Sequence, residues 1–195
     1  MSPARARTTN DAVFAAGREL LEAGGLDALT MQAVAARVGI RAPSLYKRVA
    51  NRSALIAAIA EHAIDEQGRE IAAVVRGDDP VEDLRRMARA YRAFAHRAPQ
   101  AYQLTFRSLA PDARPPVEAS ARAAAPLLAV TGRLVGPERA LEAARLVTAF
   151  VHGFVSMELA GAFRLGGDVD AAYRFGVDAI VRGLADGARD EVSRG

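Results

Sequence analysis

Apolar residues recur three and four positions apart along most of this chain, and they do not alternate over any run long enough to make a half-buried strand. Val13, Ala16 and Leu20 form the first stripe, which stops at Gly24-Gly25. Leu26 and Leu29 close a short connection. Thr30 then offers a hydroxyl cap to a second helix carrying Val34 and Val38. After Gly39, Leu45 and Val49 mark one face of a short helix that begins near Pro43. A long helix follows to about Val75, with Leu55, Ile56, Ile59, Ala63 and Ile71 inward. Gly77-Asp78-Asp79-Pro80 breaks the chain, and the next helix carries Leu84, Met87, Tyr91 and Phe94 before Pro99 ends it. A short helix with Tyr102, Leu104 and Phe106 leads into the Pro-rich residues 110–116, expected to be a flexible surface segment or lid. Helices over residues 117–135, 138–165 and 170–188 complete an all-α pattern.

Composition adds limits to that pattern. A chain of 195 residues with 51% hydrophobic content can bury a core as one large or two small domains. The pattern favours two, over residues 1–52 and 53–195. There is no run of 18 apolar residues and no basic N-terminal region leading into an apolar core, so neither a membrane span nor a secretory signal is expected. The absence of cysteine excludes disulfides and thiolate metal sites and suits a reducing cytoplasm. Charge is uneven: residues 1–52 hold eight Lys or Arg against four Asp or Glu, while the whole chain has a net charge of only +3. The positive excess therefore sits in the N-terminal module.

In that module, Gly39 permits the positive φ of a tight reversal between two packed helices, and Pro43 presets the first turn of the next. With Leu45 and Val49 facing inward, Ser44, Lys47 and Arg48 point elsewhere and Tyr46 lies at the margin. A helix this short is not stable alone, so a scaffold must present its outer face. A DNA major groove, about 12 Å wide and lined by phosphate, fits that face in size and charge. Arg41, Ala42 and Ser44 are placed to read base edges, with Arg41 able to donate two bonds to a guanine. Lys47 and Arg48 are either a solvated face or, with Arg52 one turn on, a phosphate clamp. Tyr46 is either a half-buried core ring or a phosphate donor. Arg5 and Arg7 belong either to a frayed terminus or to an arm that reaches DNA.

The run Thr30-Met31-Gln32-Ala33-Val34-Ala35, Gly39-Ile40, Ser44-Leu45-Tyr46-Lys47 and Asn51-Arg52-Ser53-Ala54-Leu55 resembles the helix-turn-helix of the TetR family of bacterial transcriptional regulators over about the first 60 residues. Two positions depart from the family pattern: Arg41 stands where a capping Ser or Thr is usual, and Val49 where Phe is usual. The resemblance implies an N-terminal three-helix DNA-binding domain and a larger C-terminal helical domain for ligand binding and dimerisation. It favours the phosphate role for Tyr46 and makes the helix after Asn51 the carrier of ligand-driven motion. The candidate DNA contacts are Thr30, Arg41, Ala42, Ser44, Tyr46, Lys47, Arg48 and Arg52. Val151-His152-Gly153-Phe154, leading to Glu158-Leu159-Ala160, is also similar to one TetR subgroup, with Val151 where that subgroup has Trp.

The C-terminal part is rich in aromatic and thioether side chains. Met87, Tyr91, Phe94, Tyr102, Phe106, Phe150, His152, Phe154 and Met157 are either ordinary core or the wall of an apolar cavity for a small-molecule effector. His152 is a satisfied core imidazole or a polar ligand contact. Leu159, Tyr173, Val177, Ile180, Val181 and Leu184, on the last two helices, are expected at a four-helix homodimer interface. Gly176 and Gly183 are expected to admit a neighbouring backbone. The three histidines are scattered and there is no Gly-rich phosphate loop, so no metal or cofactor is called for and an enzyme is disfavoured. The favoured reading is a repressor released from palindromic double-stranded DNA by a small apolar or amphipathic ligand. A ligand-independent architectural protein and, after it, a helical-bundle enzyme are the alternatives.

Overall fold

A computed structural model describes residues 9–192, so the arm carrying Arg5 and Arg7 lies outside the described residues. Every regular element among the described residues is helical: α1 (Asn10–Ala28), α2 (Met31–Arg37), α3 (Ala42–Tyr46), α4 (Arg52–Ala73), α5 (Pro80–Arg97), α6 (Pro99–Phe106), α7 (Val117–Val135), α8 (Ala140–Leu159) and α9 (Val169–Val192).

Local chemistry sets the boundaries. The Thr9, Thr30 and Asn51 side chains accept from the amides of Ala12, Ala33 and Ala54 at 3.2, 3.1 and 2.8 Å, capping α1, α2 and α4. α1 kinks at Gly24-Gly25, where Gly25 takes φ 66°, before a last turn to Ala28. α2 ends on Gly39 at φ 71°: the Ile40 amide reaches the Ala35 carbonyl at 2.9 Å and the Gly39 amide that of Ala36 at 3.1 Å. The same closure stops α8, with Ala162 donating to Met157 and Gly161 to Glu158, both at 2.9 Å. Gly161 thus ends that helix six residues before the expected Leu165. Residues 110–116 are anchored, since Pro111–Ala113 forms a 3-10 turn with Ala113 buried.

The chain divides into two compact units. One is the described part up to Asp65 together with Ala98–Ala119; the other is Glu66–Arg97 together with the described part from Ser120. The division falls inside α4 and not after Arg52, because Leu55, Ile56 and Ile59 of α4 and Ala101, Tyr102 and Leu104 of α6 are buried in the first unit. Ala98 gives α6 no side-chain cap. The Glu22 carboxylate supplies one from α1, accepting from the amides of Gln100 and Ala101 at 3.1 and 2.8 Å.

In the second unit Leu84, Met87, Phe94, Val130, Val147, Val151, Val155, Tyr173 and Val181 make the core. A Cβ on Gly68 would stand 2.8 Å from the Ala123 Cα, so the later part of α4 and α7 approach more closely than a side chain allows. Gly176 faces the Phe150 ring and not a backbone, and a Cβ added to Gly183 would meet nothing within 4 Å among the described residues, which corrects the expectation drawn from that pair.

Asp83 is fully buried and ties the unit together. It accepts from the Arg76 and Gly77 amides at 2.8 and 3.0 Å, from Arg86 at 2.7 Å on α5, and from Arg133 at 2.6 Å on α7. One helix among the described residues, Pro137–Leu159 with a mean hydropathy of 1.2 over its most apolar window, is long and apolar enough to span a membrane by length and composition. Glu142 and Arg145 interrupt it, so it is not the unbroken run of 18 apolar residues that the sequence lacks. In the fold its Ala143, Val147, Val151 and Val155 are buried against the chain.

Candidate functional site

Two apolar positions hold α3 in place: Leu45 is inaccessible and Val49, the smaller residue at the Phe position, is also buried. Tyr46 is 52% exposed, and Arg41, Ser44, Lys47 and Arg48 are exposed with it, while Ala42 is half-buried. Arg41 gives α3 no side-chain cap, so its guanidinium is left for other work at the helix start. Arg48 donates to the Asn10 Oδ1 at 3.3 Å, which fixes its direction against the start of α1. The Thr30 Oγ1 accepts from Ala33, and its proton remains available to an outside acceptor.

Arg52 lies elsewhere. Its Nε donates to the Leu29 carbonyl at 2.8 Å and its Nη2 to that of Leu26, so it braces the turn after the α1 kink instead of joining Lys47 and Arg48 in a clamp. Two charge-assisted bonds of this kind contribute about 2 kcal/mol together. Arg52→Ala should lower unfolding stability by about that amount in a denaturant titration, and it should leave the salt dependence of DNA binding unchanged.

A seven-residue helix, a glycine turn and a short helix with an apolar seam and a cationic rim define a DNA-binding helix-turn-helix module. The family model for bacterial regulatory proteins of the tetR family matches residues 13–59, and that for the tetracyclin repressor-like C-terminal domain matches residues 84–180. An uncharacterized HTH-type transcriptional regulator of Mycobacterium tuberculosis is 30% identical over 192 residues, covering 97% of this chain and 86% of that protein. The chain belongs to the TetR family of transcriptional regulators. Among solved structures, a TetR variant from Acinetobacter baumannii AYE in complex with minocycline is 26% identical with a TM-score of 0.69, covering 91% of this chain and 97% of its own. A Rhodococcus sp. RHA1 protein of unknown function shares the fold at a TM-score of 0.79 and 22% identity, over 95% and 100% of the two chains.

The expected ligand-contacting residues fall into both units. Tyr102 and Phe106 pair in the first, ring centroids 5.6 Å apart, with Tyr102 buried and Phe106 exposed. In the second, Met87, Tyr91 and Phe94 are buried, Phe150, His152 and Phe154 are half-buried, and Met157 is exposed. The Tyr91 hydroxyl lies 3.3 Å from the His152 Nδ1. Burial pushes the His152 imidazole below its ordinary value, which favours its neutral form. Phe150 and Phe154 lie 6.3 and 5.2 Å from the Tyr173 ring.

Polar residues that periodicity could not single out surround this group. Arg92 of α5 grips Glu158 of α8 with two bonds, at 2.8 and 2.5 Å, and reaches Asp170 of α9 at 2.6 Å. It also lies over the Tyr173 ring at 4.9 Å. His96 adds a contact to Glu158 at 3.0 Å. The bonds from Arg92, ahead of those from His96, hold the Glu158 carboxyl below its usual value despite burial. Gln67 of α4 is 7% exposed, and its Nε2 has no hydrogen-bond partner among the described residues.

Three of the six expected dimer residues turn inward. Tyr173, Val177 and Val181 are buried in their own chain, and Tyr173 donates to the Ala88 carbonyl at 2.7 Å. The i, i+4, i+8 stripe that suggested an interface is the seam of α9 on α5 and α8. Leu159, Ile180 and Leu184 are half-buried. The large apolar residues turned outward on these helices are Leu141, Leu146, Met157 and Phe175, the last 77% exposed.

Proposed function

We propose that the protein is a homodimeric repressor that holds two half-sites of a palindromic operator and releases them when a small apolar or amphipathic molecule enters the second unit. The observation that carries the DNA half of this reading is the division of one short segment into a buried pair, Leu45 and Val49, and an exposed row, Tyr46, Lys47 and Arg48. A side chain that only filled a core would not leave a tyrosine and two cations in water.

Dimerisation through the outward faces of α8 and α9 fits Leu146 and Phe175, with Gly183 leaving space beside them for a second copy. Two recognition helices then meet successive major grooves about 34 Å apart. The minocycline complex of the Acinetobacter TetR variant supports a small-molecule effector by analogy of fold and family. Selection of bound duplexes from a random pool, followed by a salt titration and sedimentation, tests the reading. A two-fold symmetric consensus, a steep loss of affinity with salt and a dimer are expected. A monomer that binds with a flat salt response would overturn it.

On the effector side, Gln67 is a buried amide donor on the helix that also carries Leu55 and Ile59 of the DNA-binding unit. A ligand acceptor meeting that donor would stabilise the liganded packing by about 1 to 3 kcal/mol, the cost of leaving the amide unmet. Gln67→Met keeps the volume and removes the unmet donor. The variant should therefore raise the melting temperature while weakening release of DNA by effector, as read by thermal denaturation and by reporter induction.

A further inference from the structure

The second unit also carries a groove between α5 and α9 that the effector reading does not use. Its volume is about 350 Å³, within the range of small-molecule sites. Ala88, Tyr173 and Val177 form an apolar floor, and the Tyr173 hydroxyl is already committed to the Ala88 carbonyl. The rim carries four guanidiniums, from Arg85, Arg89, Arg174 and Arg182, against two carboxylates, Glu82 and Asp178. Counted as formal charges, the lining is doubly positive.

How those charges are paired decides what the groove can hold. Arg85 is fixed between Glu82 at 2.8 Å and Asp178 at 2.7 Å, so both carboxylates are engaged by it. Arg182 shares Asp178 at 3.5 Å. Arg174 has only a long contact, 3.9 Å, to Asp168, which is not part of the groove. α5 carries five arginines, and four of them meet a carboxylate: Arg85 here, Arg86 on Asp78 and Asp83, Arg92 on Glu158 and Asp170, and Arg97 on Glu66 and Glu70. Arg89 is the exception among the described residues, and it lines the groove. Arg89 thus meets no carboxylate among the described residues and Arg174 meets Asp168 only at 3.9 Å, so most of the donors of both guanidiniums face the groove's opening to solvent.

Guanidinium forks match the oxygens of phosphate in pairs, and a phosphate monoester carries close to two negative charges at pH 7. From the charge surplus and the apolar floor we infer that this groove binds a phosphate monoester with an apolar or aromatic portion, its phosphate on Arg89 and Arg174 and its apolar part over Ala88 and Val177. The groove shares Tyr173 with the aromatic group of Phe150 and Phe154, but none of its rim arginines is among the residues assigned to the effector.

Phenyl phosphate is the probe, titrated into the full chain at about 0.15 M salt and followed by calorimetry, an ionic strength at which exposed charges more than about 8 Å apart are screened. Saturable one-to-one binding per chain is expected. Arg89→Gln combined with Arg174→Gln should weaken it at least tenfold, while Arg107→Gln, which removes an exposed cation in the other unit, should leave it unchanged. Benzoate, with the same ring and half the charge, should bind at least tenfold more weakly. Circular dichroism melting of the double variant confirms its fold, and Arg89→Lys with Arg174→Lys, which keeps the charge without the fork, should bind between the wild type and the Gln variant. Absence of saturable binding, equal loss in Arg107→Gln, or benzoate binding as tightly as phenyl phosphate would overturn the assignment. None of these outcomes depends on DNA binding, so the result is distinct from any failure of the repressor reading.

Discussion

Lys47→Ala combined with Arg48→Ala should weaken operator binding by about a thousandfold at 0.15 M salt, and should lower the slope of log affinity against log salt by about four. Both side chains are exposed, and Arg48 is aimed by Asn10 at 3.3 Å. Each phosphate contact releases about 0.9 of a counterion, which is worth roughly a factor of five at this salt concentration. A dimer places two such pairs on the duplex, so four contacts multiply. Fluorescence anisotropy at four or five salt concentrations measures both quantities. An affinity loss with an unchanged slope would mean that the variant acts through folding or base reading, and the phosphate assignment of Lys47 and Arg48 would be wrong. Circular dichroism of the variant should match the wild type, because neither side chain packs into the core that Leu45 and Val49 make.

The contrast with Arg52 shows which parts of the interface were legible in the sequence. Leu45, Val49, Tyr46 and Lys47 are arranged by helical periodicity over five residues, and periodicity is a local property that the sequence displays directly. Arg52 is four residues from Arg48 and carries the same charge, yet its donors go to carbonyls at positions 26 and 29. Those carbonyls lie in the last turn and at the C-cap of α1, where helical donors run out, and a sequence reading does not show where such a carbonyl will lie in space. Glu22 presents the same difficulty, since its value as a cap for α6 depends on packing between segments 78 positions apart.

The body was less legible for a related reason. A stripe at i, i+4 and i+8 establishes that one face of α9 is covered, but not whether its own chain or another covers it. Tyr173, Val177 and Val181 are covered by their own chain. Fold class depends on the existence of such stripes and was therefore readable, whereas the identity of the interface depends on what fills each stripe. The charged residues that organise the second unit, Asp83 and Arg92, stand within an Arg-rich amphipathic helix whose composition reads as solvated. Only the position of α7, α8 and α9 against it distinguishes a buried charge from a wet one.

Asp83 gives the largest expected effect on stability. Burial alone would raise its carboxyl, but the bond from Arg86, followed by those from the Arg76 amide, Arg133 and the Gly77 amide, outweighs that and holds the group well below the usual carboxylate range. Its folded-state value lies below its unfolded one, so its contribution is complete above about pH 4 to 5 and is lost as pH falls through the folded value. Stability measured by urea titration should therefore be flat in this component from neutral pH to about pH 5 and fall steeply below pH 4. Asp83→Asn keeps the size of the side chain but turns an amide nitrogen toward donors, leaving Arg86, Arg133 or a backbone N–H facing another donor in a buried site. Breaking a buried pair in this way costs about 3 to 5 kcal/mol. The variant should lose that much at pH 7 and show a shallower decline below pH 4 than the wild type, because the titrating group is gone. A variant as stable as the wild type at neutral pH would show that Asp83 does not hold the end of α4 to α5 and α7. The second unit would then depend on its apolar core alone.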